Sequence, residues 1–216
     1  MFASLVGVQP HQISLLGGGP PALDPDAVVR RTQLDEHSWV DLSPGWLHGA
    51  DTLLADLVDT VEWQQGRRWM YDRMVDDPRL TCFARRSSRG LPPALIDARA
   101  ALEARYGVRL SGPGFNYYRD GRDSVAPHSD RELRRLDDTI VAILTLGARR
   151  PFLVKAKTGG PSRDLAPGSG DLLVMGGATQ LRWEHAVPKV ARCGPRVSVS
   201  WRWSSAAKRP PGTLEP

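Results

Sequence analysis

The segment Arg196-Val-Ser-Val-Ser-Trp-Arg202 shows most clearly which type of secondary structure the C-terminal half of this chain forms. Its apolar residues alternate with polar ones, and successive side chains of a β-strand point to opposite faces. The segment is therefore predicted to be a strand with one apolar face. Arg196 and Arg202 lie together on the other face.

Similar short segments precede it, each apolar or alternating and bounded by turns rich in Gly or Pro. They are Thr139–Leu146, Phe152–Ala156, Asp171–Met175 and Leu181–Val187. Several short strands at such spacing are typical of an antiparallel sandwich or barrel. The C-terminal half is therefore predicted to be mainly β.

The N-terminal part has a different pattern. Apolar stripes at helical spacing predict helices over Asp51–Trp63, with Asp51 as its cap, and over Pro93–Tyr106, which ends before Gly107. A short strand is expected at Trp39–Leu42. Residues 1–36 contain a Gly- and Pro-rich run and are predicted to be an irregular arm, with residues 37–216 forming one domain.

Composition narrows the function classes. Among the 216 residues, 25 are Arg and 4 are Lys, and the net charge is +5. Arg binds phosphate as a planar fork, so a nucleic-acid partner is plausible, although a GC-rich coding bias explains the same excess. No apolar run approaches the roughly 18 residues of a membrane helix, so no membrane association is expected.

The sequence contains weaker signals for the cellular location and the oligomeric state of the protein. The start of the chain lacks a basic region ahead of an apolar stretch, so no secretory signal is expected. Only Cys82 and Cys193 are present, which favours a reducing, cytoplasmic location. Nothing in the sequence suggests an oligomer, so a monomer is expected.

Three features of the β-rich half indicate metal chemistry. In His128-Ser-Asp130, the first and third residues share a face if the segment is extended, and His185 follows 55 residues later. Two His and one carboxylate form the facial triad of non-haem Fe(II), which leaves three positions open. A bidentate oxoacid can fill two and dioxygen the third, and Arg196 suits the far carboxylate of the oxoacid.

Each feature alone also has an ordinary explanation. His128 can be a surface histidine, His185 beside Trp183 a structural one, and paired arginines on a strand a solvated face. The order His-X-Asp, His, Arg-X5-Arg on predicted strands is much more specific than any one of these features.

The same half of the chain resembles the AlkB family of Fe(II)- and 2-oxoglutarate-dependent dioxygenases. The matching blocks are Asn116–Gly121, His128–Asp130, Leu146–Phe152, Gly170–Met175, Trp183–Pro188 and Arg196–Arg202. The resemblance implies a double-stranded β-helix (jelly-roll) core at about 113–204, buttressed by the N-terminal helices, in a mainly β (α+β) fold.

The resemblance also implies roles for single residues. Fe(II) would be bound, and catalysis supported, by His128, Asp130 and His185. The co-substrate 2-oxoglutarate would be held by Arg196 at its distal carboxylate, by the nearby Arg202, and by Asn116 and Tyr118. Glu132 matches an acidic position that faces the target base.

The chain departs from the family pattern at two places. The usual Arg-X-Asn-X-Thr-X-Arg has Ser198 and Ser200 here, and Trp183 replaces the more usual Tyr or Phe. Neither change removes a metal ligand, but the loss of Asn at position 198 is expected to weaken a supporting contact.

Residues 63–90 fall where the family carries a nucleic-acid lid. The expected contacts are aromatic stacking on a flipped base and Arg binding to phosphate. The candidates are Trp69, Tyr71, Arg79 and Phe83, followed by the basic run Arg85, Arg86 and Arg89. Alternatively, the aromatic residues are core and the arginines a solvated loop.

The resemblance implies oxidative demethylation or dealkylation of alkylated nucleobases in DNA or RNA, using Fe(II), 2-oxoglutarate and dioxygen. One alternative is a 2-oxoglutarate-dependent dioxygenase that acts on a protein or small molecule. Another is a non-catalytic nucleic-acid-binding barrel, although no ligand is missing. A cupin-like Zn(II) or Mn(II) site explains the ligands but not Arg196.

Overall fold

The computed structural model describes residues 18–70, 72–83 and 90–205. Its N-terminal elements are β1 (Ala22–Leu23), β2 (Arg30–Gln33), β3 (Ser38–Ser43), β4 (Leu47–His48), α1 (Ala50–Thr60), β5 (Gln64–Met70), β6 (Arg73–Phe83) and α2 (Pro93–Tyr106). The rest are β7 (Ser111–Tyr118), β8 (Val125–His128), β9 (Thr139–Gly147), β10 (Leu153–Ala156), β11 (Arg163–Asp164), β12 (Leu172–Gly177), α3 (Thr179–Arg182), β13 (Trp183–Val187) and β14 (Arg196–Ser204).

The strands from β7 onward alternate between two sheets. The large sheet contains the order β12-β9-β14-β7, and the small sheet has the order β11-β10-β13-β8. Val141 and Leu173 of the large sheet share one apolar cluster with Val154 and Val187 of the small sheet, so the two sheets pack face to face. This alternation is that of a jelly-roll, and the predicted double-stranded β-helix is confirmed.

The two helices cover the outer face of the large sheet. Leu57 of α1 and Leu102 of α2 belong to the same buried cluster as Leu144, Val199 and Trp201. The apolar face of β14 thus packs under the helices, while its Arg and Ser side chains face the space between the sheets. The predicted buttressing follows directly from the period of two in this strand.

The large sheet extends beyond the jelly-roll on both sides, to the order β2-β3-β12-β9-β14-β7-β6-β5. The prediction of an irregular arm over residues 1–36 is therefore wrong for residues 22–23 and 30–33, which form β1 and β2. All four residues of β2 are exposed, so this edge strand carries no apolar alternation that a pattern search could detect.

Two local predictions also need correction. Leu181 lies in the helical turn α3, and the strand begins only at Trp183. The N-cap of α1 is Gly49 in the left-handed conformation, while Asp51 lies in the first turn and accepts a hydrogen bond from Ser169. In contrast, α2 has the predicted bounds. No helix among the described residues is long and apolar enough to cross a membrane.

Candidate metal and co-substrate centre

Strand pairing in the small sheet brings the two histidines together. His185 in β13 lies directly opposite His128 at the end of β8, and their ring centroids are 4.3 Å apart. Asp130 follows two residues after the end of β8. One ligand atom from each of the three residues lies within 4.8 Å of the other two, so the triad can hold a metal ion.

The backbone determines which nitrogen of His128 faces the centre. Its Nδ1 lies 2.9 Å from the carbonyl oxygen of Ala126, which can only accept a hydrogen bond, so Nδ1 carries the proton. The other ring nitrogen, Nε2, faces the centre and lies 3.8 Å from Oδ1 of Asp130. A second-nitrogen hydrogen bond of this kind orients a histidine for metal binding.

Asp130 lies in a turn rather than in the extended segment that the sequence predicted. Its backbone N–H donates to Gln180 Oε1 at 2.8 Å, and its Oδ2 accepts from Arg202 Nε at 2.6 Å. Burial is the largest single influence and opposes ionisation, but the charge and hydrogen bond of Arg202, together with the two neighbouring histidines, outweigh it, and the pKa of Asp130 falls below its usual value. The carboxylate is therefore ionised, with Oδ1 directed at the histidines.

His185 is buried and neutral. Burial, together with the neighbouring His128, lowers the pKa of His185 to about 3. Its ring stacks on Phe152 at a centroid distance of 5.6 Å. A neutral imidazole held in a fixed plane is the form that binds a metal.

Arg196 is a buried cation with few partners. Its side chain is 0% exposed, and Nη2 donates to Thr145 Oγ1 at 3.1 Å. Its Nε and Nη1 have no hydrogen-bond partner within the described part of the chain. Burial lowers the pKa of Arg196 to about 10. An isolated buried guanidinium is costly unless an anion pairs with it, so this position fits the distal carboxylate of an oxoacid.

The other predicted co-substrate residues surround Arg196 on the same face. In the ladder between β14 and β7, Tyr118 lies opposite Arg196 and Asn116 lies opposite Ser198. The Arg196 guanidinium carbon is 5.9 Å from the centroid of the Tyr118 ring. Arg202 reaches the metal triad through Asp130. The structure thus brings together all seven predicted metal and co-substrate residues.

A comparison with protein families identifies the chain. Residues 48–206 match the family model of the 2OG-Fe(II) oxygenase superfamily. The chain belongs to this superfamily. Family membership confirms Fe(II), 2-oxoglutarate and dioxygen as the cofactors, and the donor set of the triad and the isolated Arg196 fit them. The role of each residue stays a prediction that this geometry supports.

Curated relatives of this oxygenase are AlkB homologues, which confirms the resemblance found in the sequence. The mouse alpha-ketoglutarate-dependent dioxygenase alkB homolog 3 is 31% identical over 190 residues, which cover 76% of this chain and 66% of that protein. The human protein of the same name is 29% identical, and the match covers 90% of this chain and 76% of that protein. The Arabidopsis thaliana DNA oxidative demethylase ALKBH2 is 27% identical, covering 66% and 58%.

Solved structures support the fold of the oxygenase. A Pseudomonas putida prolyl-4-hydroxylase matches with a TM-score of 0.52 and 17% identity, covering 72% of this chain and 85% of that one. A Trichoplax adhaerens prolyl hydroxylase, solved with a hypoxia inducible factor peptide, matches with a TM-score of 0.56 and 10% identity, covering 73% and 77%.

The segment predicted to be a lid contains a hairpin of β5 and β6 that continues the large sheet beyond β7. Its aromatic residues Trp69 and Phe83 are 67% and 74% exposed, so they are not core. Arg79 is directed inward, and its Nε donates to Asn116 Oδ1 at 2.9 Å. Glu132 is exposed, with Oε1 3.8 Å from Arg202 Nε. Tyr71 and the basic run Arg85, Arg86 and Arg89 lie outside the described residues.

Two supporting contacts of the oxygenase were not apparent from the sequence. Gln180 holds the backbone of Asp130, and Thr145 contacts Arg196. Both pairs are about 50 residues apart in the chain, with separations of 50 and 51. No local pattern signals them, because Thr145 meets Arg196 only through the pairing of β9 with β14, and Gln180 meets Asp130 only when α3 packs beside the end of β8.

The two departures from the family pattern have clear structural roles. The indole N–H of Trp183 donates to Asp35 Oδ2 at 2.7 Å, which ties β13 to the turn between β2 and β3. Ser200 Oγ accepts from Arg202 Nη1 at 3.1 Å and donates to the carbonyl of Gly114. Ser200 thus supports Arg202 beside the metal triad.

Proposed function

We propose that this oxygenase removes alkyl groups from the bases of DNA or RNA by oxidation that depends on Fe(II) and 2-oxoglutarate. The observation that carries the proposal is the metal triad beside an isolated, buried Arg196 in a chain with AlkB homologues as relatives. The chain spans 66% and 59% of the mouse and rat relatives, so activity and substrate belong to this proposal.

When bound, the iron and 2-oxoglutarate activate dioxygen for oxidation of the alkyl carbon attached to a base nitrogen. The part of this chain's own residues is to bind the metal and the co-substrate and to orient them. The triad would hold the metal. The buried Arg196 would pair with the distal carboxylate of the co-substrate, and Arg202 helps to keep Asp130 ionised. Loss of the oxidised carbon as an aldehyde restores the base.

The lid supports a polynucleotide substrate. Trp69 and Phe83 offer exposed aromatic faces on the hairpin beside β7, and bases stack on such faces whatever their sequence. The net charge of +5 favours association with phosphates. Glu132 can accept a hydrogen bond from a base amine or balance the charge of a cationic alkylated base. The proposal includes a cytoplasmic location, which the two unpaired cysteines favour, and a monomeric state.

We propose that single strands are the better substrates, because extracting a base from a duplex costs a few kcal/mol. The oxygenase should therefore demethylate an N-methylated single-stranded oligonucleotide several-fold faster than the same strand in a duplex. Mass spectrometry of the digested bases measures this ratio for DNA and RNA. Succinate formation with no methyl loss from any nucleic acid would support the alternative substrate, a protein or small molecule.

Replacing Trp69 should weaken nucleic-acid binding. Stacking of a base on an aromatic side chain contributes about 1–3 kcal/mol, so Trp69→Ala should raise the Kd for a single-stranded oligonucleotide roughly tenfold. Ile96→Ala removes an exposed apolar side chain from α2 and is the control. Fluorescence anisotropy at several salt concentrations measures both. An unchanged Kd for Trp69→Ala would remove this residue from the interface.

A further inference from the structure

Arg79 differs from the other lid residues in the direction of its side chain. Thr81 of β6 pairs with Asn116 of β7, and Arg79 lies two residues before Thr81 on the same strand. Long side chains reach diagonal neighbours across a strand pair. Arg79 uses this reach to contact Asn116 rather than to extend into solvent.

The backbone beside Arg79 is held in place from a second direction. The carbonyl of Pro78 accepts a hydrogen bond from the backbone N–H of Ser124, in the segment that leads into β8. The backbone at Arg79 is thus held between β7 and β8, the strand that carries His128.

The contact determines the orientation of the Asn116 amide. A guanidinium has only donors, so the atom of Asn116 that faces Arg79 Nε at 2.9 Å must be the carbonyl oxygen. The amide nitrogen Nδ2 then points away from Arg79 and is the atom that can donate a hydrogen bond to another group. Without Arg79, the amide can rotate to present either its acceptor or its donor to a bound carboxylate.

We propose that Arg79 is a positioning residue for 2-oxoglutarate. It fixes the side chain of Asn116 so that the amide nitrogen Nδ2 is directed at the co-substrate, and so connects the lid strand to the co-substrate pocket. This differs from the phosphate contact that the sequence predicted for Arg79. The inference rests on the use of 2-oxoglutarate within the proposed function and not on the choice of substrate.

Binding of 2-oxoglutarate to the Mn(II)-loaded protein, measured by calorimetry without nucleic acid, tests the inference. Arg79→Met should raise the Kd about tenfold, since a hydrogen bond to a charged partner contributes about that factor. Arg79→Lys, which keeps the charge but not the planar fork, should also weaken binding. Arg67→Met, which removes an exposed, ion-paired arginine from the same hairpin, should leave the Kd unchanged.

A double-mutant cycle separates positioning from direct contact. If Arg79 acts through Asn116, then adding Arg79→Met to Asn116→Ala changes the Kd less than twofold. Mn(II) affinity and melting temperature should stay near wild type for Arg79→Met. Additive losses in the cycle, or an Arg79→Met protein that binds 2-oxoglutarate as wild type, would overturn the inference. Because no nucleic acid is present, either failure leaves the proposed substrate untouched.

Discussion

Replacing Arg196 by methionine should abolish tight binding of 2-oxoglutarate and at the same time make the ligand-free protein more stable. Removal of one partner from a buried charge pair typically costs 2–5 kcal/mol, so the Kd should rise about 100-fold or more. Calorimetry with the Mn(II)-loaded protein measures this loss. A methionine fills much of the same volume, so the loss reflects the missing charge.

The gain in stability follows from the lowered pKa of Arg196. At neutral pH the guanidinium is charged in both the folded and the unfolded chain, and burial holds the folded pKa at about 10, well below its usual value. The folded state therefore carries a penalty of about 3 kcal/mol, which disappears only at strongly alkaline pH. At about 2–4 °C for each kcal/mol in a chain of this size, Arg196→Met should raise the melting temperature of the ligand-free protein by about 6–12 °C.

A second buried arginine provides the matched contrast. Arg150 is also fully buried, but its Nη atoms donate to the carbonyls of Asp120, Asp123 and Pro188. Arg150→Met should therefore lower the melting temperature. Adding 2-oxoglutarate to the Mn(II)-loaded protein should raise the melting temperature of wild type further and not that of Arg196→Met. Equal destabilisation of both variants would mean that Arg196 is a structural residue.

Replacing His128 by alanine should reduce iron-dependent turnover to background. His128 supplies one of three protein ligands, and two ligands hold Fe(II) poorly. Because mutation of a residue that only supports a ligand already lowers metal affinity 10–100-fold, loss of the ligand itself should lower metal affinity more than 100-fold. Its side chain is 35% exposed at the end of β8, so the fold should persist. Metal-binding titration, turnover and circular dichroism measure these three properties.

His48→Ala is the control for this experiment, because His48 is more exposed and lies on β4 outside the centre. It should retain wild-type metal affinity and turnover. His185 is a less suitable position, since its buried ring packs on Phe152 and its removal would also disturb the core. Iron-dependent turnover in His128→Ala would show that the metal is held elsewhere.

Features with strong local signals could be predicted from the sequence. Helix α2 begins with Pro93 and ends at Gly107, whose φ of 65° suits glycine, and both bounds were predicted correctly. The alternation in β14 likewise predicted which side chains face the helices and which face the centre. The order of His128, Asp130 and His185 on short strands was sufficient to predict that they meet.

Features that depend on tertiary contact could not be predicted. The edge strand β2 has only exposed residues, so no periodicity marks it. The resemblance of its segment to the family's nucleic-acid lid predicted a phosphate contact for Arg79, whereas its contact with Asn116 depends on the register between β6 and β7. The roles of Gln180 in α3 and Thr145 in β9 depend on contacts with residues about 50 positions away in the chain.

The central claim is that the triad and Arg196 form one centre that demethylates nucleobases. Its most direct test is a single reaction with the protein reconstituted anaerobically with Fe(II) and 2-oxoglutarate. Oxygen and an N-methylated single-stranded oligonucleotide are then added, and mass spectrometry quantifies lost methyl groups and succinate. We predict close to one succinate for each methyl group lost, and neither product with His128→Ala. Methyl groups that persist while succinate accumulates would contradict the account.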